Sequence, residues 1–384
     1  LFANKPVYPD QELFYMNNPN QRVGSSSLNR NFSLVDGATP DSPDILVDTE
    51  RQIEIASSPG RPLDERLEAY EDIIESQVGD TTMTRARNIE RETGLRQLYL
   101  KFEGSNPTGT QKDRIALAQG MDALRRGYEA VTVATCGNYG VAIALASFMA
   151  GLKCFIFIPE DYQTKRIDEI VKLGAEIILT RGDYEASVEL SKEYAEKNEI
   201  YDANPGGENT AIQLRAYGEI AYEIYDELRD APSAIVVPVS NGTTLAGVYK
   251  GFVSLYRRGK TSHIPKIVAG SSYRKNPIVQ AYLKNLPSCE DLSAENIRET
   301  RINEPLINWH SIDGDHALDA IRRTGGFAGY VSDRSMASFA RLVREREGLS
   351  VLPASTAGLG ALLSHFKDGN LELGRYVAVL TGRK

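Results

Sequence analysis

Metal-binding and disulfide patterns are what this sequence most visibly lacks. Its 384 residues include three cysteines, Cys136, Cys154 and Cys289, and four histidines, His263, His310, His316 and His365, none at metal-ligand spacing. An odd, scattered set of thiols suits a reducing compartment, so neither a disulfide framework nor a metal site is expected. No apolar run approaches the roughly 20 residues that span a bilayer. The opening "LFANKPVYPD" lacks the basic-then-apolar order of a secretory leader. A net charge of −8 leaves no basic excess for a nucleic-acid backbone or an anionic lipid surface. Neither nucleic acid nor membrane is an expected partner, and the cytoplasm is the expected location.

What remains is an ordinary globular composition, 41% hydrophobic and 25% charged, in a chain long enough for two domains. The first 60 residues, rich in Asn, Ser, Pro and Asp, show no sustained periodicity and read as an extended arm with short local structure, packed over its own domain or a partner subunit. A helical pattern runs from Pro62 to Glu75. From residue 97 onward short apolar runs alternate with amphipathic stretches. Strands are expected at 97–102, 130–134, 153–158, 176–180, 234–238, 266–270 and 376–380, with helices at 163–173, 184–197, 213–229 and 244–258 between them. Several of the strands are apolar throughout, as in a parallel sheet covered on both faces, so the fold class is α/β.

Ligands of such sheets collect beyond the carboxyl ends of strands, which directs attention to the loops after residues 102, 134, 238 and 380. The first reads "EGSNPTGTQKDR" (103–114). Asn106-Pro107-Thr108-Gly109 has the composition of a tight turn, and Lys112 follows it at the start of a helical run. A helix N-terminus disfavours positive charge, so a merely solvating lysine is out of place there. The second and third loops, "TCGNYG" (135–140) and "SNGTT" (240–244), are glycine turns opening helices, where successive amides form an anion cradle. Neither follows G-x-G-x-x-G or the Walker pattern, which weakens a nucleotide reading. Two cradles and one lysine suit pyridoxal 5′-phosphate. That cofactor needs a lysine for its Schiff base, a cradle for its phosphate, and a second cradle for an amino-acid carboxylate.

At this point the chain resembles a family. "GDTTMTRARNIERETGLRQLYLKFEGSNPTGTQKDR" (79–114), "TVATCGNYGVAIALASFMAGLKCFIFIP" (132–159), "IVVPVSNGTTLAG" (235–247), "GLSVLPASTAGLGALL" (348–363) and "VLTG" (379–382) are similar, in that order, to threonine synthases of the fold-type II (tryptophan synthase β-like) pyridoxal-phosphate enzymes. The resemblance implies two domains with parallel-rich sheets flanked by helices. Residues 79–110 plus 232–384 would form the large cofactor domain, 111–231 the small domain, and 1–78 an N-terminal extension. A homodimer is expected.

Carried onto matching positions, the resemblance makes Lys112 the Schiff-base lysine and catalytic base, and has Asn138 bond the cofactor's ring hydroxyl. It has Ser240, Asn241, Gly242, Thr243 and Thr244 cradle the phosphate and Thr381 face the pyridine nitrogen. Thr110, Thr135, Cys136 and Gly137 would contact the substrate, a small-molecule amino acid. A neutral hydroxyl at Thr381 makes the cofactor a milder electron sink, suited to elimination and replacement more than transamination.

The likeness is incomplete. Gln111 stands where the family has an aromatic residue. "YDANPGGE" (201–208) places Asp202 and Glu208 where threonine synthases carry neutral donors and an arginine for the phosphate of phosphohomoserine. The next arginine is Arg215, which is expected to bind substrate, with Lys165 as a second source of charge. The leading reading is threonine synthase, phosphohomoserine plus water giving threonine and phosphate. The alternatives are β-replacement on an activated serine, as in cysteate or cysteine synthases, a serine/threonine dehydratase, or a non-catalytic amino-acid-sensing or partner-binding module on the same fold.

Overall fold

The computed structural model describes residues 43–135, 137–160, 166–369 and 371–384. Cys136, Lys165 and most of the expected N-terminal arm lie outside the described residues. By internal contacts the chain divides into Leu1–Thr39 and Pro40–Lys384, and all described residues belong to the second unit.

In chain order the strands are β1 (Met83–Arg85), β2 (Leu98–Phe102), β3 (Ala130–Ala134), β4 (Lys153–Pro159), β5 (Glu176–Thr180), β6 (Tyr201–Asp202), β7 (Ala234–Pro238), β8 (Lys266–Ser272), β9 (Ala328–Val331) and β10 (Tyr376–Leu380). They form a six-stranded sheet, β1-β2-β10-β7-β8-β9, and a four-stranded sheet, β5-β4-β3-β6. Only the β1–β2 pair is antiparallel. Every residue of β3, β7 and β10 is buried, as strands covered by helices on both faces require. The fold is therefore α/β and parallel-rich, as the apolar runs imply.

Each sheet sends one strand end toward each glycine turn. In the small sheet β3 passes through Thr135 and Gly137 into the helix Asn138–Ala150, and in the large one β7 passes through 239–242 into Thr243–Arg257. Strand β10 lies between β2 and β7, with Tyr376 opposite both Leu98 and Ala234. Thr381 just beyond β10 is thereby brought beside the Lys112 turn, where Gln111 N–H donates to Thr381 O at 3.0 Å.

The region before residue 60 departs from the sequence reading. Pro43–Ser57 is a helix, and it packs on the helices Leu63–Gln77 and Asn138–Ala150. Ile53 and Ile55 lie against the core and Ala56 is fully buried. The two isoleucines are spaced two apart, which hid the helical period. The backbones meet closely here: a Cβ on Gly151, whose φ is +67°, would come within 2.2 Å of Ser57 O. Strands β1, β6 and β9 were also not expected; at two to four residues they carry too little pattern to read.

Candidate active site

The turn before Lys112 is set by local chemistry. Gly109 has φ +89°, and its N–H donates to Asn106 O at 2.9 Å. The buried Asp113 carboxylate accepts from Thr108 N–H at 2.8 Å and from Thr108 Oγ1 at 2.6 Å, which fastens the turn to the helix Lys112–Arg125. Burial pushes the Asp113 carboxyl up to about 6, against the Thr108 hydrogen bonds and the nearby Arg166 and Arg383. Lys112 is the first residue of that helix. Its backbone N–H bonds Thr110 Oγ1 at 3.2 Å, and its ammonium lies 5.7 Å from the centroid of the Tyr139 ring. Burial pushes Lys112 down to about 8, with the Asp313 carboxylate pulling the other way.

One cavity of about 110 Å³ collects Thr110, Lys112, Asn138, residues 240–244 and Thr381, together with Gln111, Leu352 and Ser355. The Lys112 turn, Asn138, residues 240–244 and Thr381 come from the four loops expected from the strand-end rule, and Leu352 and Ser355 add a fifth stretch that the rule did not include. A more voluminous groove, about 490 Å³, is lined by Arg85, Arg87, Arg91 and Arg96 with Glu90 and contains none of them. It is open, and Glu90 closes a two-pronged pair with Arg85 at 2.9 and 3.0 Å. We place the chemistry in the smaller cavity because the half-buried lysine and both helix openings meet there.

The 240–244 loop fits a phosphate. Gly242 has φ +92°, and a Cβ there would stand 2.8 Å from Asp313 O and 2.9 Å from Ala317 Cβ, so backbone rather than side chain faces the cradle. The helical ladder starts with Ala246 N–H donating to Gly242 O at 3.0 Å, which leaves the preceding amides at the helix mouth as donors for an anion. Side chains hold the loop from behind. Asn276 Nδ2 donates to Ser240 O at 2.9 Å, Ser311 Oγ to the same carbonyl at 3.1 Å, and Asn308 Nδ2 to Asn241 Oδ1 at 2.9 Å. Thr381 Oγ1 donates to Ser355 Oγ at 3.2 Å. The Ser355 hydroxyl in turn bonds Gly382 O at 3.2 Å, so a neutral hydroxyl pair stands at this end of the cavity.

Asn138 opens the other helix. Its Oδ1 accepts from Arg166 Nη1 at 2.7 Å, while Arg166 Nη2 reaches Thr108 O at 3.1 Å. Arg166 thus ties the small-sheet helix to the Lys112 turn. Thr135 is buried and Gly137 partly so. Arg215 is not brought to the cavity: it is exposed on the helix Thr210–Leu228. Asp202 is occupied with Asn204, accepting from its N–H at 2.9 Å and its Nδ2 at 2.6 Å, and Glu208 is exposed.

The sequence reading passed over Arg166, Asn276, Asn308 and Asp313. Arg166 follows β4, a strand end that the same rule should have included. Asp313 precedes the helix Gly314–Arg323 in an Asp-Gly pair that reads as a cap. The asparagines give no local signal, since their work is done across long sequence separations. Among the described residues no group of three or more His, Cys, Asp or Glu is arranged to hold a metal ion. No helix of the described residues is long and apolar enough to cross a membrane.

Residues 74–382 match a family model described as pyridoxal-phosphate dependent enzyme. A threonine synthase of Methanocaldococcus jannaschii is 30% identical over 307 residues, 79% of this chain and 74% of that protein. One from Bacillus sp. (strain ULM1) is also 30% identical over 307 residues, covering 79% and 82%. Among solved structures, the processed form of threonine deaminase isoform 2 from Solanum lycopersicum superposes with TM-score 0.68 at 17% identity, over 94% of this chain and 95% of that one. A pyridoxal 5′-phosphate-dependent aspartate racemase does so with TM-score 0.69 at 21% identity, over 83% and 94%.

Proposed function

The chain belongs to the family of pyridoxal-phosphate-dependent enzymes, as a lyase of the fold-type II, threonine synthase-like kind, and from that premise we propose that it converts O-phosphohomoserine and water to threonine and phosphate. The observation that carries the reading is the meeting of Lys112, Asn138, the 240–244 loop and Thr381 in one cavity. We further take the six-stranded and four-stranded sheets as the cores of the large and small domains, and the working form as a homodimer.

When bound, pyridoxal phosphate draws off the electrons of a bond broken at the substrate's α-carbon. The amides at the mouth of Thr243–Arg257 would hold its phosphate and Lys112 its reactive carbon, while Asn138 Nδ2 would donate to its ring hydroxyl. Thr381 offers the ring nitrogen a hydroxyl and no carboxylate, so this chain does not force a proton onto that atom. Lys112 does the proton work. With burial holding it near 8, its amine is within reach of neutrality at physiological pH and can take a proton from carbon and return it elsewhere on the substrate. Thr135 and Gly137, ahead of the helix Asn138–Ala150, would hold the substrate carboxylate. Arg166, paired with Glu169 at 2.7 Å, is a cation beside that helix opening, and we assign to it the leaving phosphate, for which Glu169 would have to give way.

A second reading is favoured by one specific observation. Arg215 is exposed outside the cavity, and Asp202 stands in the segment from which relatives in the family are expected to hold phosphate. β-Replacement on an activated serine would need no dianion site there. Product analysis decides between the two. The purified protein is given phosphohomoserine, phosphoserine or acetylserine, each with water and with sulfur nucleophiles. Threonine and phosphate at the highest kcat/KM support the proposal, and a higher value for a serine derivative with a sulfur nucleophile replaces it with the second reading.

A further inference from the structure

The phosphate cradle is built around a carboxylate. Asp313 is 3% exposed and stands directly before the helix Gly314–Arg323, yet its side chain does not cap that helix. Its Oδ2 accepts instead from Thr243 Oγ1, the first residue of the neighbouring helix, at 2.5 Å. The Asp313 N–H donates to Asn241 O at 3.0 Å, and its carbonyl oxygen blocks any side chain at Gly242. Two helix N-termini therefore converge on one buried anion, at the place where the cofactor's phosphate is to be held.

Two consequences follow from elementary chemistry. A threonine hydroxyl has a single proton, and Thr243 gives it to Asp313, so it has none for a phosphate oxygen. A carboxylate beside a dianion also repels it. Lys112 feels the opposite effect. Its ammonium lies over the Tyr139 ring, whose hydroxyl is committed to Gln119 and to Ala203 O, and the Asp313 carboxylate acts on it from beyond ion-pair distance. Asp313 favours the charged lysine, working against burial.

We propose that Asp313 is a positioning residue with two opposed effects: held by Thr243 behind the cavity wall that Lys112 shares, its charge acts on Lys112 at a distance in the cofactor-free protein, and it loosens the grip on the cofactor's phosphate by its charge and by taking the Thr243 proton. The cradle thus holds phosphate by backbone amides, with the Thr243 hydroxyl turned away. This follows from the family's cofactor and does not depend on which amino acid is the substrate.

Three full-length variants test it through the cofactor's dissociation constant, measured by absorbance titration, and through the pH dependence of Lys112 acylation in cofactor-stripped protein, read by peptide mapping. Asp313→Asn should tighten cofactor binding about 10-fold, as expected for removing one unit charge near a dianion, and shift the midpoint of Lys112 acylation about one pH unit lower. Asp313→Glu, which keeps the charge, should stay near the parent in both. Thr243→Val should change cofactor affinity less than about threefold, because the lost hydroxyl never faced the phosphate. That variant keeps the idea testable if Asp313→Asn fails to fold. Weaker or unchanged cofactor binding in Asp313→Asn, an unshifted Lys112 midpoint, or a loss of 10-fold or more in Thr243→Val would each overturn the proposal.

Discussion

Lys112 and Arg114 are cations in the first turn of one helix, two residues apart, and the fold treats them in opposite ways. Arg114 is enclosed in a balanced set of charges. It donates to Glu103 at 2.6 and 2.9 Å and to Glu223 at 2.7 and 2.9 Å, while Lys101 Nζ reaches Glu223 Oε2 and Thr81 O, both at 2.5 Å. Thr81 Oγ1 and Asn106 Nδ2 donate to the same two Glu103 oxygens, Oε1 at 2.7 Å and Oε2 at 3.1 Å. Its guanidinium is driven well above the usual range by Glu103 and Glu223, which outweigh burial, and the same cations hold Glu223 down at about 2. Among the described residues Lys112 has an aromatic face and one carboxylate beyond ion-pair distance for company, and falls to about 8. Arg114 is buried and Lys112 half-buried; only the one outside an ion pair leaves a proton free to move. The difference separates a charge that fixes structure from a charge that does chemistry.

The largest expected effect comes from erasing the unpaired cation. Lys112→Ala should abolish the cofactor's visible absorption band and lower turnover by several orders of magnitude, and Lys112→Arg should not restore it, because arginine stays charged. Retention of the band with more than a few percent of activity would break the comparison at its root. The same lysine carries a stability signature in cofactor-free protein. Its pKa is near 8 folded against 10.5 unfolded, so the unfolded chain binds more protons between those values and stability rises with pH across that window. Lys112→Met should therefore stabilise the cofactor-free chain at pH 7 by up to about 3 kcal/mol, a gain that fades as pH passes from 8 to 10.5 in urea titrations.

Breaking the paired set should cost stability instead. Glu223→Gln leaves Arg114 and Lys101 short of one negative charge, and a loss of about 3–5 kcal/mol is expected from denaturant unfolding. A loss below 1 kcal/mol would mean that the set is no more than a surface pairing. Arg166→Ala sharpens the comparison behind the cavity-lining Asn138. With the proposed substrate, KM should rise roughly 10- to 100-fold as one charge-assisted contact is lost, whereas Arg215→Ala should leave it within about twofold. The reverse order would move the leaving-group site to the 202–215 segment. The smallest effect is expected from Thr381→Val, which should retain the cofactor and lower turnover several-fold with an altered spectrum. Unchanged kinetics and spectrum would remove Thr381 from the site.

The parts of this site that were legible in the sequence are those written locally. The Asn-Pro-Thr-Gly turn announces a helix start at Lys112, and the runs that became β3, β7 and β10 carry their burial in their composition. Glycine turns after β3 and β7 are visible for the same reason. The quartet of Lys101, Glu103, Arg114 and Glu223 was not legible, because nothing in a helix face such as "YGEIAYEI" says that its glutamate will meet an arginine on another helix. Asp313 was missed likewise, since it acts on a residue whose nearness only the finished fold creates, whereas Arg166 follows a strand end that the rule should have included. Arg215 illustrates the converse, a residue in a plausible place along the chain that the helix turns outward.

Strand β10 gives the molecule a particular order of assembly. It is wedged between β2 and β7, and its register sets Tyr376 opposite Leu98, so the middle of the large sheet waits for a segment distant in the chain. Closing so long a loop adds little to the entropic cost, which grows only as the logarithm of loop length, but such distant pairings slow the search for the native state. A ribosome-bound chain that has exposed Lys112 and both glycine turns still lacks Thr381 and the strand that brings β2 against β7. Cofactor capture should therefore come as a late event, after β10 has found its slot between β2 and β7.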